Sequence, residues 1–293
     1  MEIQFIVNFG VLIIPTIEIN MQRFILANIL VLIFGLNVRA QRSTPLSRSE
    51  LGFIFGGMSY MGDLNLVPFK NTQLAGGLIF RYNVHSRMSL RANLLYGNVK
   101  GNDAQSKIDL IKNRNLNFTS AIYELSGGIE FNYFPFEIGH ERYKGTAYIL
   151  TEIGVFHMNP MTKYNGESVA LQPLGTEGQG TSLSSHKNYG LTQLCIPIGV
   201  GARITLGKWA CLNLELGLRK TFTDYLDDVH SDTYVDPTVL AVQSGPTAAA
   251  LSNRSLDGSR YGKRGTSTSK DWYLFTGFSI TFKLGKKSSC FYH

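Results

Sequence analysis

The sequence predicts an all-β protein, an eight-stranded antiparallel transmembrane β-barrel with short periplasmic turns and long extracellular loops. Beyond residue 41, segments of about ten residues alternate apolar and polar side chains with a period of two, and no helical period is sustained. The polar face of these segments carries charges of both signs, and short connections alternate with long ones. A segment near the amino terminus has the order of an export signal, which is typical of proteins that cross the inner membrane.

Composition excludes several other classes of protein. Of the 293 residues, 17% are charged, 18 are phenylalanine and 14 are tyrosine, and the mean hydropathy is −0.01. The chain is therefore too polar for a bundle of membrane helices and too aromatic for a disordered protein. The net charge of +7 is spread through strands and loops instead of lying on one helix or patch, so we expect no nucleic-acid partner.

The three cysteines, Cys195, Cys211 and Cys290, are odd in number and lack the spacing of metal ligands. They predict neither a disulfide framework nor a zinc site. A turn at Gly207 and Lys208 places Cys211 opposite Ile204 and not opposite Cys195. We therefore expect free thiols in this pair of strands.

Residues 21–40 are predicted to be a signal peptide. After Met21 come Arg23, an apolar run of 13 residues that ends at Leu36, and a small residue, Ala40, before the expected cleavage point. The run is shorter than the roughly 20 residues of a membrane-spanning helix, which favours cleavage over anchoring. A buried core helix is the alternative for this segment. Residues 1–20 are interpreted as an upstream extension that is not translated if the start codon is Met21, residues 41–285 as the barrel and residues 286–293 as a periplasmic tail.

The clearest period-two segment runs from residue 210 to residue 221, where Leu214 and Leu216 lie on one face and Glu215 and Gly217 on the other. The same pattern recurs along the chain. The eight predicted strands are 50–60, 72–83, 88–100, 119–134, 146–158, 194–205, 210–221 and 272–284.

The polar face indicates which side of the barrel points inward, because soluble and membrane barrels share the period and differ only in polarity. Charges of both signs can neutralise each other in a narrow lumen, where an unpaired ion would cost several kcal/mol. An eight-stranded barrel is only wide enough for side chains to fill, so we predict a plugged barrel without an open pore. A soluble lipocalin-like binder would need the reverse polarity. The predicted lumen charge network comprises Arg81, Arg91, Glu124, Glu130, Glu152, Arg203, Glu215 and Arg219.

The connections predict the orientation of the barrel. Short segments around His85, Glu137 and Gly207 alternate with long loops at 61–71, 101–118, 159–188 and 222–271, which places the long loops outside and both ends of the mature chain in the periplasm. Residues 244–270, rich in Ser, Gly, Thr and Arg, predict a flexible surface loop. Aromatic residues near strand ends predict an interfacial girdle, with ordinary strand composition as the alternative. These residues are Tyr82, Tyr133, Phe134, Trp209 and Trp272.

One stretch carries residue types with possible chemistry. Asp224, Asp227, Asp228 and His230 follow the seventh predicted strand, and carboxylates with a histidine can bind a metal or activate water. No serine or second histidine has a fixed spacing to them, and Asp residues at a strand end commonly cap a turn or pair with an arginine such as Arg219. We therefore predict no catalytic, cofactor-binding or metal-binding residues.

The same stretch resembles the signature of the PorG-like outer-membrane β-barrel family. The resemblance begins with Gly217-Leu-Arg-Lys-Thr-Phe-Thr-Asp-Tyr-Leu-Asp-Asp-Val-His230 and continues to Tyr234-Val-Asp236. It extends to Leu251-Ser-Asn-Arg-Ser255, Arg264-Gly265, Lys270-Asp-Trp-Tyr273 and Cys290. The signature residues are Arg219, Lys220, Thr221, Asp224, Tyr225, Asp227 and Asp228.

The resemblance implies a non-enzymatic accessory or anchoring barrel of the type IX protein secretion machinery. It implies periplasmic ring proteins and outer-membrane lipid as partners, and no cofactor. The loops 159–188 and 237–271 are longer than the family pattern, so the exact partner, the cargo and the role of these loops stay open. The oligomeric state also stays open. Two alternatives are a lipid-modifying barrel enzyme that uses Asp227, Asp228 or His230, and an adhesive or structural surface barrel.

Overall fold

The computed structural model describes residues 48–284, which form one antiparallel sheet with three short helices in its connections. The predicted upstream extension, signal peptide and tail, together with Cys290, lie outside the described residues. The strands are β1 (Ser49–Met61), β2 (Gln73–His85), β3 (Met88–Asn102), β4 (Asn117–Asn132), β5 (Gly145–Tyr164), β6 (Glu167–Ala170), β7 (Thr192–Leu206), β8 (Ala210–Thr221) and β9 (Trp272–Leu284).

Eight of these strands close into a barrel. Each pairs antiparallel with its neighbours in the order β1-β2-β3-β4-β5-β7-β8-β9, and β9 pairs with β1. Closure leaves none of these eight strands as an edge with unpaired backbone groups, and a sheet that crosses a lipid bilayer must meet this condition. The predicted fold class is confirmed, and all eight predicted strands are present.

The remaining strand, β6, pairs only with the end of β5. This extends β5 to Tyr164, six residues past the predicted end at Met158. Asn165 and Gly166 form the turn with φ of 51° and 87°, and an Asn-Gly pair is a strong signal for such a tight hairpin. The prediction of a loop at 159–188 was therefore wrong for residues 159–170, which belong to this hairpin.

The helices all lie in the connections that the sequence predicts to be extracellular. They are α1 (Asp109–Arg114), α2 (Pro237–Ser244) and α3 (Pro246–Ser252), and short 3-10 turns cover Asp103–Gln105 and Gln172–Leu174. None of the helices in residues 48–284 has the length and hydropathy of a membrane-spanning helix.

The alternation of the strands places apolar residues outside and charged residues inside, as predicted. On β8, Leu214 is 50% exposed, whereas its neighbour Asn213 is fully buried. Such a continuous apolar exterior is unfavourable in water and favourable in lipid. The exposed apolar residues of the wall include Phe53, Phe55, Leu78, Phe80, Leu90, Leu94, Leu125, Ile129, Ile149, Ile153, Ile198, Val200, Leu216, Phe278 and Phe282.

This apolar belt has the height of a membrane core. On β5 its outward positions run from Ala147 to Val155, which at about 3.3 Å per residue and a tilt of about 40° corresponds to roughly 20 Å. At the periplasmic end, Tyr133 and Phe134 are exposed, as the predicted girdle requires. At the outer end the exposed pair is Tyr96 and Tyr123, with ring centroids 4.9 Å apart, which the sequence prediction did not include.

The other predicted girdle residues lie at both ends of the wall. Trp209 is 75% exposed at the periplasmic turn after β7, and Tyr82 is half-buried near the end of β2. Trp272 begins β9 at the outer end, where the Lys220 ammonium lies 5.1 Å from its ring. The aromatic side chains therefore border the belt on both sides, as expected for an amphipathic ring at a membrane interface.

The turn between β7 and β8 changes one predicted pairing. Leu206 pairs with Ala210, so three residues form the turn instead of two, and Cys211 lies opposite Thr205 instead of Ile204. The prediction for that register was wrong by one residue because the turn length was underestimated. Cys195 pairs with Thr221, so Cys195 and Cys211 remain separate, buried and free.

The connection from β4 to β5 closes the periplasmic mouth. Its residues Phe136 and Ile138 are buried and pack with Cys211. The Arg203 guanidinium lies 4.4 Å from the centre of the Phe136 ring, within the range of a cation–π contact. The loop around Glu137 is thus more than a short link, because it covers the charged lumen with an aromatic side chain.

We predict that Leu214→Arg destabilises the barrel by about 2–4 kcal/mol, because it places a charge on the lipid-facing wall near mid-belt. Urea-induced unfolding of the barrel in lipid vesicles measures this change. Thr119→Arg, at an exposed position of β4 beyond the outer aromatic pair, is the control and should cost about 0–1 kcal/mol. Equal costs for the two variants would contradict the position of the belt.

Candidate functional site

The structure brings all eight predicted lumen charges together inside the barrel. They come from six strands. Seven of the eight side chains are buried and that of Glu215 is 10% exposed, because these strand positions face the lumen. We call this set, together with Glu50, the lumen network. Most of its ion pairs connect strands that are not neighbours in the wall, so they hold the barrel together across its interior.

Glu130 on β4 is the centre of the lumen network. Its carboxylate accepts hydrogen bonds from Arg81 Nε at 2.8 Å, Arg91 Nη1 at 3.2 Å and Arg203 Nη1 at 3.1 Å. The three arginines lie on β2, β3 and β7, and the carboxylate is fully buried. Charge-assisted hydrogen bonds of this kind are stronger than neutral ones, and they offset the cost of burying the ions.

Arg91 connects this centre to two further carboxylates. Its guanidinium lies 2.6 Å from Glu152 and 2.9 Å from Glu215. Neutral donors complete the shell of Glu152, since Asn93 Nδ2 and Ser126 Oγ each lie 2.7 Å from its oxygens. The glutamates of neighbouring strands therefore share donors and need not each have an arginine.

Arg219 forms the outer layer of the lumen network. Its Nε lies 3.4 Å from Glu124, whose carboxylate also accepts the Tyr273 hydroxyl at 2.8 Å. The sequence prediction offered an aspartate of the following loop as a partner for Arg219. That pairing was wrong, because Arg219 points down into the lumen, where Glu124 and Glu215 supply the negative charge.

Glu50 is a lumen residue that the sequence prediction missed. It lies 2.5 Å from Arg203 Nη2 and accepts a hydrogen bond from Asn83 Nδ2 at 2.9 Å. The alternation of β1, in which Glu50 shares a face with Gly52 and Ile54, would have identified it.

Apolar side chains fill the lumen beyond the charged layer. The buried cluster there includes Ile54, Met58, Ile79, Leu95, Ile122, Phe156 and Phe275. Charged and apolar layers thus pack the interior, which is the arrangement that a barrel without an open pore requires.

We predict that Glu130→Gln destabilises the barrel by about 3–5 kcal/mol, since it leaves three buried arginines without their shared carboxylate. Chemical unfolding and the heat-modifiable mobility of the barrel on a gel measure the effect. Glu141→Gln, in the exposed part of the periplasmic loop, is the control and should change stability by less than about 0.5 kcal/mol. A Glu130→Gln barrel as stable as the control would show that the central carboxylate is dispensable.

The four outer connections, residues 62–72, 103–116, 165–191 and 222–271, pack against one another over the outer mouth of the barrel. We call them the outer cap. Arg114 joins three of them: it pairs with Asp103 through two contacts of 2.7 Å and donates to the carbonyls of Asp63 and Arg264. The outer cap is therefore held by buried side chains that come from distant parts of the chain.

Arg264 ties the fourth connection into the outer cap. This side chain is 2% exposed, forms an ion pair with Glu177 and donates to Thr176 Oγ1 at 3.0 Å. It also donates to the carbonyls of Asp228 and Ser252 at 3.2 Å. The segment 244–270, predicted to be a flexible surface loop, contains α3 and the buried side chains of Ser252 and Arg264, so part of it packs into the interior of the cap.

The signature stretch forms the seam between the barrel and the outer cap. Thr221 Oγ1 lies 2.6 Å from the carbonyl of Asp271, and Tyr225 stacks on Tyr189 with centroids 4.5 Å apart. Lys220 points outward, whereas Arg219 points into the lumen. The signature residues therefore contact the wall, the lumen and the cap in turn.

Asp227 and Asp271 share one tyrosine beneath the outer cap. The Tyr60 hydroxyl lies 2.5 Å from Asp227 and 2.9 Å from Asp271, and it has only one proton to donate. Burial raises the pKa of both carboxyls, and neighbouring acids add to this: Asp271 raises the pKa of Asp227, and Asp224 raises that of Asp271. Both effects favour a proton on the pair, which supplies the second hydrogen bond.

Asp228 is a third buried carboxyl. It accepts from Thr176 Oγ1 at 2.5 Å and from the Tyr189 hydroxyl at 2.7 Å. Burial raises the pKa of Asp228 to about 6, although the Arg264 guanidinium opposes this change. Its φ of 66° is in the left-handed region, which is uncommon outside glycine, so the neighbouring contacts hold a strained backbone here.

Asp224 and His230 form a separate pair at the edge of the seam. His230 Nδ1 lies 2.6 Å from Asp224 Oδ2, and the histidine side chain is 21% exposed. No serine hydroxyl in residues 48–284 hydrogen bonds to His230, and this part of the chain holds no cluster of His, Cys, Asp and Glu that could bind a metal. The contacts of these four residues are those of a hydrogen-bonded turn and a closed cap.

We predict that the outer cap is more stable at pH 5 than at pH 8. A raised pKa means that the folded cap binds the proton of Asp228 more tightly than the unfolded chain does. This contribution is present at low pH and is lost as the pH rises through about 6. Between pH 5 and pH 8 the loss from Asp228 is on the order of 1–2 kcal/mol.

Hydrogen exchange of amides in 222–271, corrected for intrinsic rates, measures this pH dependence. The Asp228→Asn variant should reduce this pH dependence, because the amide does not titrate, while Asp227 and Asp271, whose pKa values are also raised, supply the remainder. Asp232→Asn, at a half-buried residue of the same connection whose pKa is lowered, serves as the control. Protection that increases with pH in the unmodified protein would contradict the assignment.

The closed barrel, its apolar belt with aromatic borders and its neutralised lumen define an integral β-barrel protein of the outer membrane. The chain belongs to the family described as "Domain of unknown function (DUF6089)", whose profile matches residues 23–239. No curated protein sequence matches the chain.

Several solved structures are similar to this chain in their overall shape. Neisserial surface protein A is 7% identical, with a TM-score of 0.40, over 80% of this chain and 97% of its own. Ail of Yersinia pestis, in complex with the heparin analogue sucrose octasulfate, is 8% identical, with a TM-score of 0.39, over 81% and 99%. OprG of Pseudomonas aeruginosa is 8% identical, with a TM-score of 0.38, over 81% and 97%. The strand pairings described above define the fold independently of these similarities.

Proposed function

We propose that this protein is a non-enzymatic accessory or anchoring component of the type IX protein secretion machinery. The filled lumen carries the proposal, since a packed barrel can serve as a rigid membrane anchor that offers its two ends to partners. The resemblance of the signature stretch to the PorG-like family supports the link with this machinery. In this proposal, the periplasmic end docks the ring proteins of the secretion system.

The charges of the periplasmic end support this orientation. Within the described residues, the cations there outnumber the acids Glu137 and Glu141 by six to two. A basic surface favours a periplasmic partner with an acidic contact surface, because complementary charges speed association and fix orientation. The cations are Arg48, Arg87, Arg142, Lys144, Lys208 and Lys283.

Two rival functions remain as proposals. A lipid-modifying enzyme would need Asp227, Asp228 or His230 to reach a lipid, and lipid analysis of a deletion strain would detect its product. An adhesive or structural barrel would act through the outer cap. Loss of adhesion with normal secretion, after changes confined to exposed residues of 237–271, would favour that function.

We predict that deletion of the gene retains proteins with type IX export signals in the periplasm. The culture supernatant and the cell surface are compared with those of the parent strain, and a plasmid-borne copy should restore export. Normal export in the deletion strain would reject the secretion role and leave the adhesive or lipid-modifying function.

The docking surface can be tested in the same assay. Arg142→Glu, Lys144→Glu and Lys208→Glu together should lower export and co-purification with the ring proteins at least about tenfold, because each reverses an exposed charge. These substitutions are preferable to deleting the loop, since Phe136 of that loop covers Arg203. The matched control, Lys107→Glu, Lys112→Glu and Lys187→Glu on the outer cap, should export normally. Equal effects of the two triple variants would reject docking by the periplasmic end.

A further inference from the structure

The outward face of β3, β4 and β5 changes from apolar to polar just beyond the outer aromatic pair. On β3, the exposed Leu94 and Tyr96 are followed at outward positions by Asn98, Lys100 and Asn102. A similar change occurs on the two next strands. The outward positions nearer the outer end than Tyr123 and Val155 are mostly polar: Thr119 and Asn117 beside Ala121 on β4, and His157, Asn159 and Lys163 beside Met161 on β5. This part of the wall therefore rises above the lipid belt into the headgroup region.

A groove of about 560 Å³ crosses these three strands and reaches the hairpin of β6. The strand register places Lys100 opposite Thr119, and Thr119 opposite Met161. Lys163, two residues beyond Met161, lies opposite Ser168 on β6. Arg254, which follows α3 in the outer cap, completes the lining, so three cations from distant parts of the chain border one groove.

No carboxylate lines this groove. Within residues 48–284, neither Lys100, Lys163 nor Arg254 has a carboxylate within 4.0 Å, whereas the buried Arg114 and Arg264 each have one. Arg254 is half-buried and donates to the hydroxyl of Thr162 at 2.8 Å. Burial lowers the pKa of Arg254, and no neighbouring acid offsets that cost. An anion from outside the chain would supply the missing partner.

The height of the groove indicates what that anion belongs to. Lys100 lies four residues beyond Tyr96, which is about 13 Å along the strand and roughly 10 Å above the aromatic border for a tilted strand. A lysine at that level can direct its ammonium down toward a lipid headgroup while its stem covers apolar wall. Glycolipids of the outer leaflet carry phosphate groups at this depth.

We propose that this groove binds a phosphate group of an outer-leaflet glycolipid, with Lys100, Lys163 and Arg254 as the contacts. The ammonium groups act as point charges, and the guanidinium can bind two phosphate oxygens at once. Bound lipid would neutralise the one uncompensated cationic groove described here between the belt and the outer cap. This site does not depend on the proposed role in secretion.

The test is native mass spectrometry of the full-length protein released from detergent with lipid A carrying two phosphates. We expect the triple variant Lys100→Gln, Lys163→Gln and Arg254→Gln to lose at least about tenfold in lipid affinity. Each basic residue near an anionic membrane surface contributes to binding, and the variant removes three of them. Arg254 also contacts the outer cap through Thr162, so the double variant Lys100→Gln and Lys163→Gln is measured as well. It should show a smaller loss with unchanged heat-modifiable mobility.

The control variant Lys107→Gln, Lys112→Gln and Lys187→Gln removes the same charge from exposed residues of the outer cap and should bind lipid A normally. Dephosphorylated lipid A should bind about as weakly as the triple groove variant does. Equal affinity for phosphorylated and dephosphorylated lipid A would overturn the proposal. So would an unchanged affinity of both groove variants, or full competition by millimolar inorganic phosphate, which would indicate a site for a soluble anion.

Discussion

The contact of one glutamate with three arginines is the interaction on which the rest of this barrel depends. Glu130 pairs with Arg81, Arg91 and Arg203 in the lumen, so strands on different sides of the barrel are connected through its interior. The cost of burying these ions requires near-complete pairing, and the carboxylates of neighbouring strands provide it. Because each buried arginine of the lumen has a carboxylate partner inside the barrel, the outer wall is free to be apolar and to face lipid.

The two ends of the lumen are closed by different means. At the periplasmic mouth, the aromatic ring of Phe136 covers Arg203, so an apolar side chain separates the charged layer from the periplasm. At the outer mouth, Arg114 and Arg264 hold four connections together in a cap in which burial raises the pKa of Asp227, Asp228 and Asp271. The signature stretch spans both levels, since Arg219 belongs to the lumen and Asp228 to the cap. This stretch therefore connects the outer cap to the lumen network.

Much of the fold could be predicted from the sequence, and most of the outer cap could not. The period of two identified all eight wall strands, and the interleaved charges identified the lumen side. The contacts of Arg264 could not be predicted, because they depend on the folding of its own connection around Ser252 and on the packing of a second connection, which carries Glu177. The Cys211 register depended on a turn of three residues instead of two, a difference that composition does not reveal.

By itself, the sequence determined the wall of this protein: its strands, which face of each meets lipid, and the signs of the charges that fill it. These properties follow from local alternation, which the pleat of a strand converts directly into inside and outside. Only the tertiary structure decided which carboxylate meets which arginine, how the outer connections close the mouth and where Lys100, Lys163 and Arg254 come together. Such contacts depend on strand register and barrel closure, and these join residues far apart in the chain.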